Sequence, residues 1–234
     1  MEKKSFLLIS LILLLSFMSF AELERGGQYG GLGGADIGAQ WIDVENLNKV
    51  LQSKNLPQLN DVVMVNGGGG YGVMGRFIIG GEGYAISTRN KSNKKTVQLD
   101  IGYGLFDLGY LVFSRNALRV YILGGIGGGE MSLITSQEPE LSDFNSQLEN
   151  YNENHFNTEF PVFKIGLNGD YILTFSGDSA AGGLAIGISA GYVFAPVGYV
   201  SQWRLAEQTI GDVPDFGPSG PYVTIRIGGG GIAF

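Results

Sequence analysis

Along most of this chain, large apolar residues alternate with small or polar ones at a period of two. That pattern predicts strands, whose successive side chains face opposite sides. In one segment Val97, Leu99, Ile101, Tyr103 and Leu105 share a face opposite Thr96, Gln98 and Asp100. In another, Phe163, Ile165, Leu167, Tyr171 and Leu173 oppose Lys164, Asn168 and Asp170. A third sets Leu184, Ile186, Ile188, Tyr192 and Phe194 against Ala185, Gly187, Ser189 and Gly191. The first strand places Tyr29, Ile37, Ala39 and Trp41 opposite Gln28, Asp36 and Gln40.

The pattern predicts an all-β chain with strands near 27–41, 61–71, 76–88, 96–108, 118–133, 160–175, 183–195 and 221–234. The segment from Thr96 to Phe113 has the length of two strands, which would raise the count from eight to ten. The connections alternate in length: 42–60 is long, Gly72 to Gly75 a turn, 89–95 a basic stretch, and the link near Ser114 short. Then 134–159 is long, 176–182 short and 196–219 long. Such parity suits a closed antiparallel up-and-down barrel that elaborates its loops on one side of a membrane. Large apolar faces would then meet lipid, and small or polar ones would fill the bore. Tyr29 and Trp41, ~40 Å apart along a strand at ~3.3 Å per residue, span ~28 Å of height when tilted ~45°, close to the ~25 Å apolar band between aromatic girdles.

Composition narrows the class. Residues 1–21 read as a cleaved signal peptide, with Lys3 and Lys4 before an apolar run and Ser19-Phe20-Ala21 at its end. The remainder, 22–234, reads as a single domain with no run of 18 apolar residues. The chain has no cysteine, which excludes disulfides and thiolate metal sites. Its formal net charge of -7 becomes more negative without the leader, which opposes binding to nucleic acid. With 39 glycines it is too Gly-rich for a helical protein.

The leader, the loop parity, the repeated Gly-aromatic stretches (Gly70-Tyr71-Gly72, Gly102-Tyr103-Gly104, Gly191-Tyr192) and the final Phe234 together carry a family likeness. The chain resembles the small outer-membrane β-barrel proteins of double-membraned bacteria. The resemblance implies a transmembrane barrel of about eight strands in the outer membrane, in contact with membrane lipids. It also implies that the assembly machinery reads Phe234. Counting by twos places Phe234 on the face of Arg226, so the assembly-signal reading requires a bulge among Gly228 to Gly231.

On this frame Asp36, Gln40, Arg76, Glu82, Gln98, Asp100, Lys164, Asn168, Asp170 and Arg226 form an expected lumen network. In an eight-strand barrel the interior is only wide enough for side chains to fill it, which favours a plug over a pore. Tyr29, Trp41, Tyr103, Tyr171, Tyr192 and Phe194 are the expected membrane-interface aromatics.

Gly67 to Gly72 matches G-x-G-x-x-G, but a strand follows where dinucleotide binding needs a helix N-terminus, so no cofactor is expected. His155, the single histidine, falls in a polar loop with no triad spacing, so no catalytic residue is assigned. The acidic 134–159 segment lacks the spacing of a Ca²⁺ loop, and no metal site is assigned. Within it Leu141, Phe144, Leu148 and Tyr151 form a helical stripe. A second stripe, Val44, Leu47, Val50 and Leu51, follows Asp43 as the expected helix cap, and Trp203, Leu205 and Ile210 suggest a third.

The expected role is non-enzymatic: structural, adhesive or binding through loops. Three alternatives stand beside it, namely an exported soluble barrel holding an apolar ligand, a narrow channel, and a lipid-modifying barrel enzyme.

Overall fold

The computed structural model describes residues 29–115, 117–137, 152–174, 180–200, 202–206 and 208–233. Its strands are β1 (Tyr29–Trp41), β2 (Val62–Met74), β3 (Phe77–Ser92), β4 (Lys95–Arg115), β5 (Leu118–Gln137), β6 (Asn152–Thr174), β7 (Ala180–Phe194), β8 (Trp203–Leu205), β9 (Gln208–Ile210) and β10 (Gly220–Ala233). Consecutive strands from β1 to β7 pair antiparallel, and β10 pairs with both β7 and β1. Eight strands therefore close into an up-and-down ring. The β8–β9 hairpin hangs from β6 at Phe156 and Asn157.

The extra strands come from the seventh connection, where a helix was expected. Ala206 there takes a positive φ of 53°, the strand partners Trp203 and Ile210 pair, and Trp203 stacks on Phe216 with ring centroids 4.9 Å apart. Trp203 is buried. The segment 96–113 is not two strands: β4 runs unbroken for 21 residues, with one register shift between Leu111 and Phe113. The expected 89–95 loop is mostly strand as well. It turns at Asn93 and Lys94, whose φ values of 48° and 64° are those of a tight two-residue hairpin.

Strand length explains where the simple facing rule fails. A 21-residue strand measures ~69 Å at ~3.3 Å per residue and stands ~49 Å tall at ~45° tilt, about twice the ~25 Å apolar band. β4, β5 and β6, with 21, 20 and 23 residues, accordingly span two storeys, whereas β1, β2, β7 and β10, with 13 to 15, span little more than the lower one. In the lower storey, at the end of the ring that holds Tyr29 and Ala233, outward side chains are large and apolar: Phe106 and Leu108 on β4, Ile122 and Ile126 on β5, Ile165 and Leu167 on β6, Ile186 and Ile188 on β7, Ile225 and Ile227 on β10.

In the upper storey the same parity continues but the environments exchange. Val97, Leu99, Ile101, Tyr103 and Leu105 point inward and are buried, while Gln98 and Asp100 point outward. The face expected to meet lipid on this strand is thus a core. The exchange falls at Gly102 to Gly104.

That upper core is closed by helix α1 (Glu45–Ser53), whose Leu47 and Leu51 join Val44, Val63, Val97 and Leu99 in one apolar cluster. Burying each such side chain contributes about 2 kcal/mol. Val50, assigned to the same stripe, is exposed. Asp43 does not cap the helix; it forms a two-bond bridge to Gly217, and the N-cap position is Val44 without a side-chain bond. Asn48 clamps the following segment by exchanging hydrogen bonds with Leu59 N and O at 2.8 and 2.9 Å. The expected helix over Leu141 to Tyr151 lies outside the described residues, as do the leader and Phe234. β10 stays in register with β1 and β7 up to Ala233, so the bulge that the Phe234 reading requires is absent from that stretch.

Candidate functional site

The polar heart of the ring is built by cross-strand rows in which charges alternate with glycine. One inward row reads Arg119, Asp170, Gly187, Arg226, Asp36, Gly67, Tyr84, Tyr103. At Gly187 a Cβ would fall onto the Asp170 carboxylate, and at Gly67 onto the Tyr84 ring. Glycine at these positions gives long polar side chains the room to lie across the lumen.

Arg226 makes a bidentate pair with Asp36, at 2.8 and 2.7 Å, and lies 3.5 Å from Glu82. Lys164 pairs with the other oxygen of Glu82, donates to Tyr84 Oη at 3.1 Å, and lies over the Tyr84 and Tyr222 rings. Tyr84 Oη is 2.8 Å from Glu82 and 3.0 Å from Asp36. Above it, Tyr103 donates to Gln40 Oε1, and Gln40 donates to the Pro218 carbonyl. Below it, Tyr71 and Tyr121 both donate to Asp170. Buried charges demand such partners.

Of the residues expected here, Asp36, Gln40, Glu82, Lys164, Asn168, Asp170 and Arg226 are inward and buried. Arg76 is not: it sits exposed at the β2–β3 turn beside Gly75, whose φ is 66°. Gln98 and Asp100 are outside, where Asp100 accepts from Ser87 and Gln98. Tyr103, expected at the membrane interface, is an inward network member. Tyr29, Trp41, Tyr171, Tyr192 and Phe194 face outward and are exposed.

The sequence reading missed Tyr71, Tyr84, Asp107, Arg119, Tyr121 and Tyr222 inside the ring. Glu82 and Tyr84, two apart, share a face, and that spacing was available as a signal. Asp107 had none, because its face-mates Tyr103 and Leu105 read as lipid-facing. Arg119 is fully buried, and its three guanidinium nitrogens have no hydrogen-bond partner among the described residues.

Outside the ring, the upper storey carries a groove of about 700 Å³ that includes Asp100, Gly102, Glu130, Glu159 and Arg204. A shallower depression of about 660 Å³ shares Gly102, Glu130 and Glu159 and continues over Gly104, Gly128 and Pro161. His155 is not in a loop: it lies outward on β6, with Glu153 Oε1 3.3 Å from its Nε2. Among the described residues no cluster of His, Asp or Glu has the geometry of a metal site, and no helix is long and apolar enough to cross a membrane. No protein-family model matches the chain, and no curated protein matches it either.

Proposed function

We propose that the chain is a non-enzymatic outer-membrane β-barrel that spans the bilayer with its lower storey and presents its upper storey to the exterior. One observation carries this reading: the outward faces of the lower storey form an apolar belt of half-exposed Ile, Leu, Phe and Tyr side chains. Contiguous exposed apolar surface of that extent is not kept in water. The location in the outer membrane and the contact with lipids belong to the same proposal and rest on the family resemblance; the assembly role of Phe234 does not, because β10 lacks the bulge it requires.

The filling of the bore favours a structural or binding role over conduction. The charged layer is bounded below by Leu32, Val73, Ile78, Leu111, Leu123 and Ile172, and above by the cluster under α1. An ion would have to pass two apolar layers, where an unpaired charge costs several kcal/mol or more. Function then falls to the outer surface of the upper storey and its connections.

Membrane fractionation with a detergent gel run before and after boiling tests the reading. The expected result is recovery with membranes and a band that shifts on boiling. Recovery in the aqueous fraction without detergent would reject it. In planar bilayers the chain is expected to give no conductance steps, and steps sensitive to Lys164→Met would favour the channel instead.

A further inference from the structure

The basic stretch 89–95 forms the tip of the β3–β4 hairpin and gathers Arg89, Lys91, Lys94 and Lys95, with no acid between Glu82 and Asp100. Arg89 and Lys91 share the outward face of β3, Lys94 occupies the turn, and all three are exposed. Lys95 Nζ donates to the Asn55 carbonyl at 3.4 Å, which brings the tip beside Lys54 at the C-terminal cap of α1. On the opposite face of β3, Asn90 donates to the Gln58 carbonyl. These two bonds brace the hairpin against the segment after α1. Lys91 and Lys94 each interact within the chain and stay exposed. On a chain of net charge -7 the tip is a local positive pole, and it is the local field that steers a charged partner.

Two observations narrow what that partner is. Phe106, the uppermost apolar side chain on the outer face of β4, is separated from Lys94 by ~40 Å of strand at ~3.3 Å per residue, or ~28 Å of height at ~45° tilt. Headgroups reach only roughly 5–8 Å beyond the hydrocarbon. The tip therefore stands clear of the phosphates of the bilayer that the belt occupies. The tip also lacks any apolar anchor, since every residue from Ser87 to Thr96 is polar or charged. Protein partners are held largely by buried aromatic and apolar anchors, and single-stranded nucleic acid by stacking on aromatic rings. A braced row of cations interleaved with Ser, Thr and Asn suits a polymer that repeats negative charge along its length and offers hydroxyls between the charges.

We propose that the β3–β4 tip binds an anionic polysaccharide beyond the bilayer surface, with the sulfate or carboxylate groups of the polymer meeting Arg89, Lys91 and Lys94. Charge-assisted hydrogen bonds from guanidinium and ammonium supply the attraction. The acidic remainder of the chain confines the polymer to this pole. The inference deepens the binding role proposed above and rests on the membrane-spanning reading for the height of the tip.

The test uses the full chain in detergent, immobilised for surface plasmon resonance, with dextran sulfate, polygalacturonate, uncharged dextran, polyglutamate and single-stranded DNA as probes. Dextran sulfate and polygalacturonate are expected to bind and dextran not to bind. Affinity is expected to fall about fiftyfold between about 50 and 200 mM salt, the loss for about four cations on a flexible polyanion. Arg89→Gln/Lys91→Gln/Lys94→Gln is expected to weaken binding at least about tenfold, and Lys91→Arg/Lys94→Arg to retain it. Boiling-dependent gel migration checks that each variant is folded. Absence of binding to both charged polysaccharides, or binding untouched by the glutamine variant, overturns the inference and leaves the membrane reading intact. Polyglutamate or DNA bound as tightly as the polysaccharides assigns the pole to another partner and also overturns it. Recovery of the wild-type chain in the aqueous fraction removes both.

Discussion

Arg226 and Asp36 face each other across the seam that closes the ring, paired in register on β10 and β1 although 190 residues separate them in the chain. Both are buried and the contact is bidentate. Removing one partner leaves an uncompensated buried charge, which costs about 3–5 kcal/mol, whereas replacing both by apolar groups is often neutral. Arg226→Met and Asp36→Asn are each expected to lower the urea midpoint for loss of the folded gel band by that equivalent, and Asp36→Leu/Arg226→Met to recover most of it.

Arg119 provides the contrast. It is as deeply buried as Arg226, yet no described group accepts a hydrogen bond from its guanidinium, while Asp170 across the strand pair keeps two tyrosine donors. Arg119→Met is expected to be neutral or stabilising, within about 1 kcal/mol of wild type or above it, because a desolvated guanidinium that makes no hydrogen bond among the described residues is removed. A loss as large as that of Arg226→Met would show that Arg119 has a partner in the folded protein.

Glycines on the two faces should respond differently to alanine. At Gly127, which is inward, a Cβ would collide with the Gly104 carbonyl, whereas at Gly102, which is outward, it meets open space. Gly127→Ala is expected to cost about 1–3 kcal/mol through overpacking, and Gly102→Ala to stay within about 0.5 kcal/mol of wild type. Equal costs would mean that the inward-outward division of the glycines does not govern their use.

The lid makes a separable contribution. Leu47 and Leu51 are buried under α1, above the charged layer. Leu47→Ala is expected to cost about 2–5 kcal/mol and to open no conductance, since the lower apolar layer around Ile172 and Leu123 is untouched. Conductance steps in Leu47→Ala would place the seal in the lid alone.

Much of the ring was legible because alternation is a local signal. β7 and the part of β6 from residue 160 read correctly from residue parity, and the helix at 45–53 from its apolar stripe, whereas residues 152–159, expected in a loop, are the first eight residues of β6. What failed was the assumption that one environment surrounds a strand along its whole length. On β4 the parity was right, yet Tyr103, Gln98 and Asp100 were given the wrong surroundings, because nothing local marks where an apolar exterior gives way to an apolar interior. Arg76 failed for a different reason: it lies one residue past Gly75, in the turn, where strand parity does not apply. The network itself depends on which rows meet across strands, and so on register. Asp36 and Arg226 could be assigned to the lumen from the sequence, but their contact with one another could not.

The central claim, that the outward face is apolar below and polar above, is tested most directly by spin labels on this cysteine-free chain. Labels at Ile165→Cys and Asp100→Cys in reconstituted bilayers would be probed with oxygen and with a water-soluble nickel chelate. The account predicts oxygen-dominated relaxation at 165 and chelate-dominated relaxation at 100. Chelate access at 165 equal to that at 100 would contradict it.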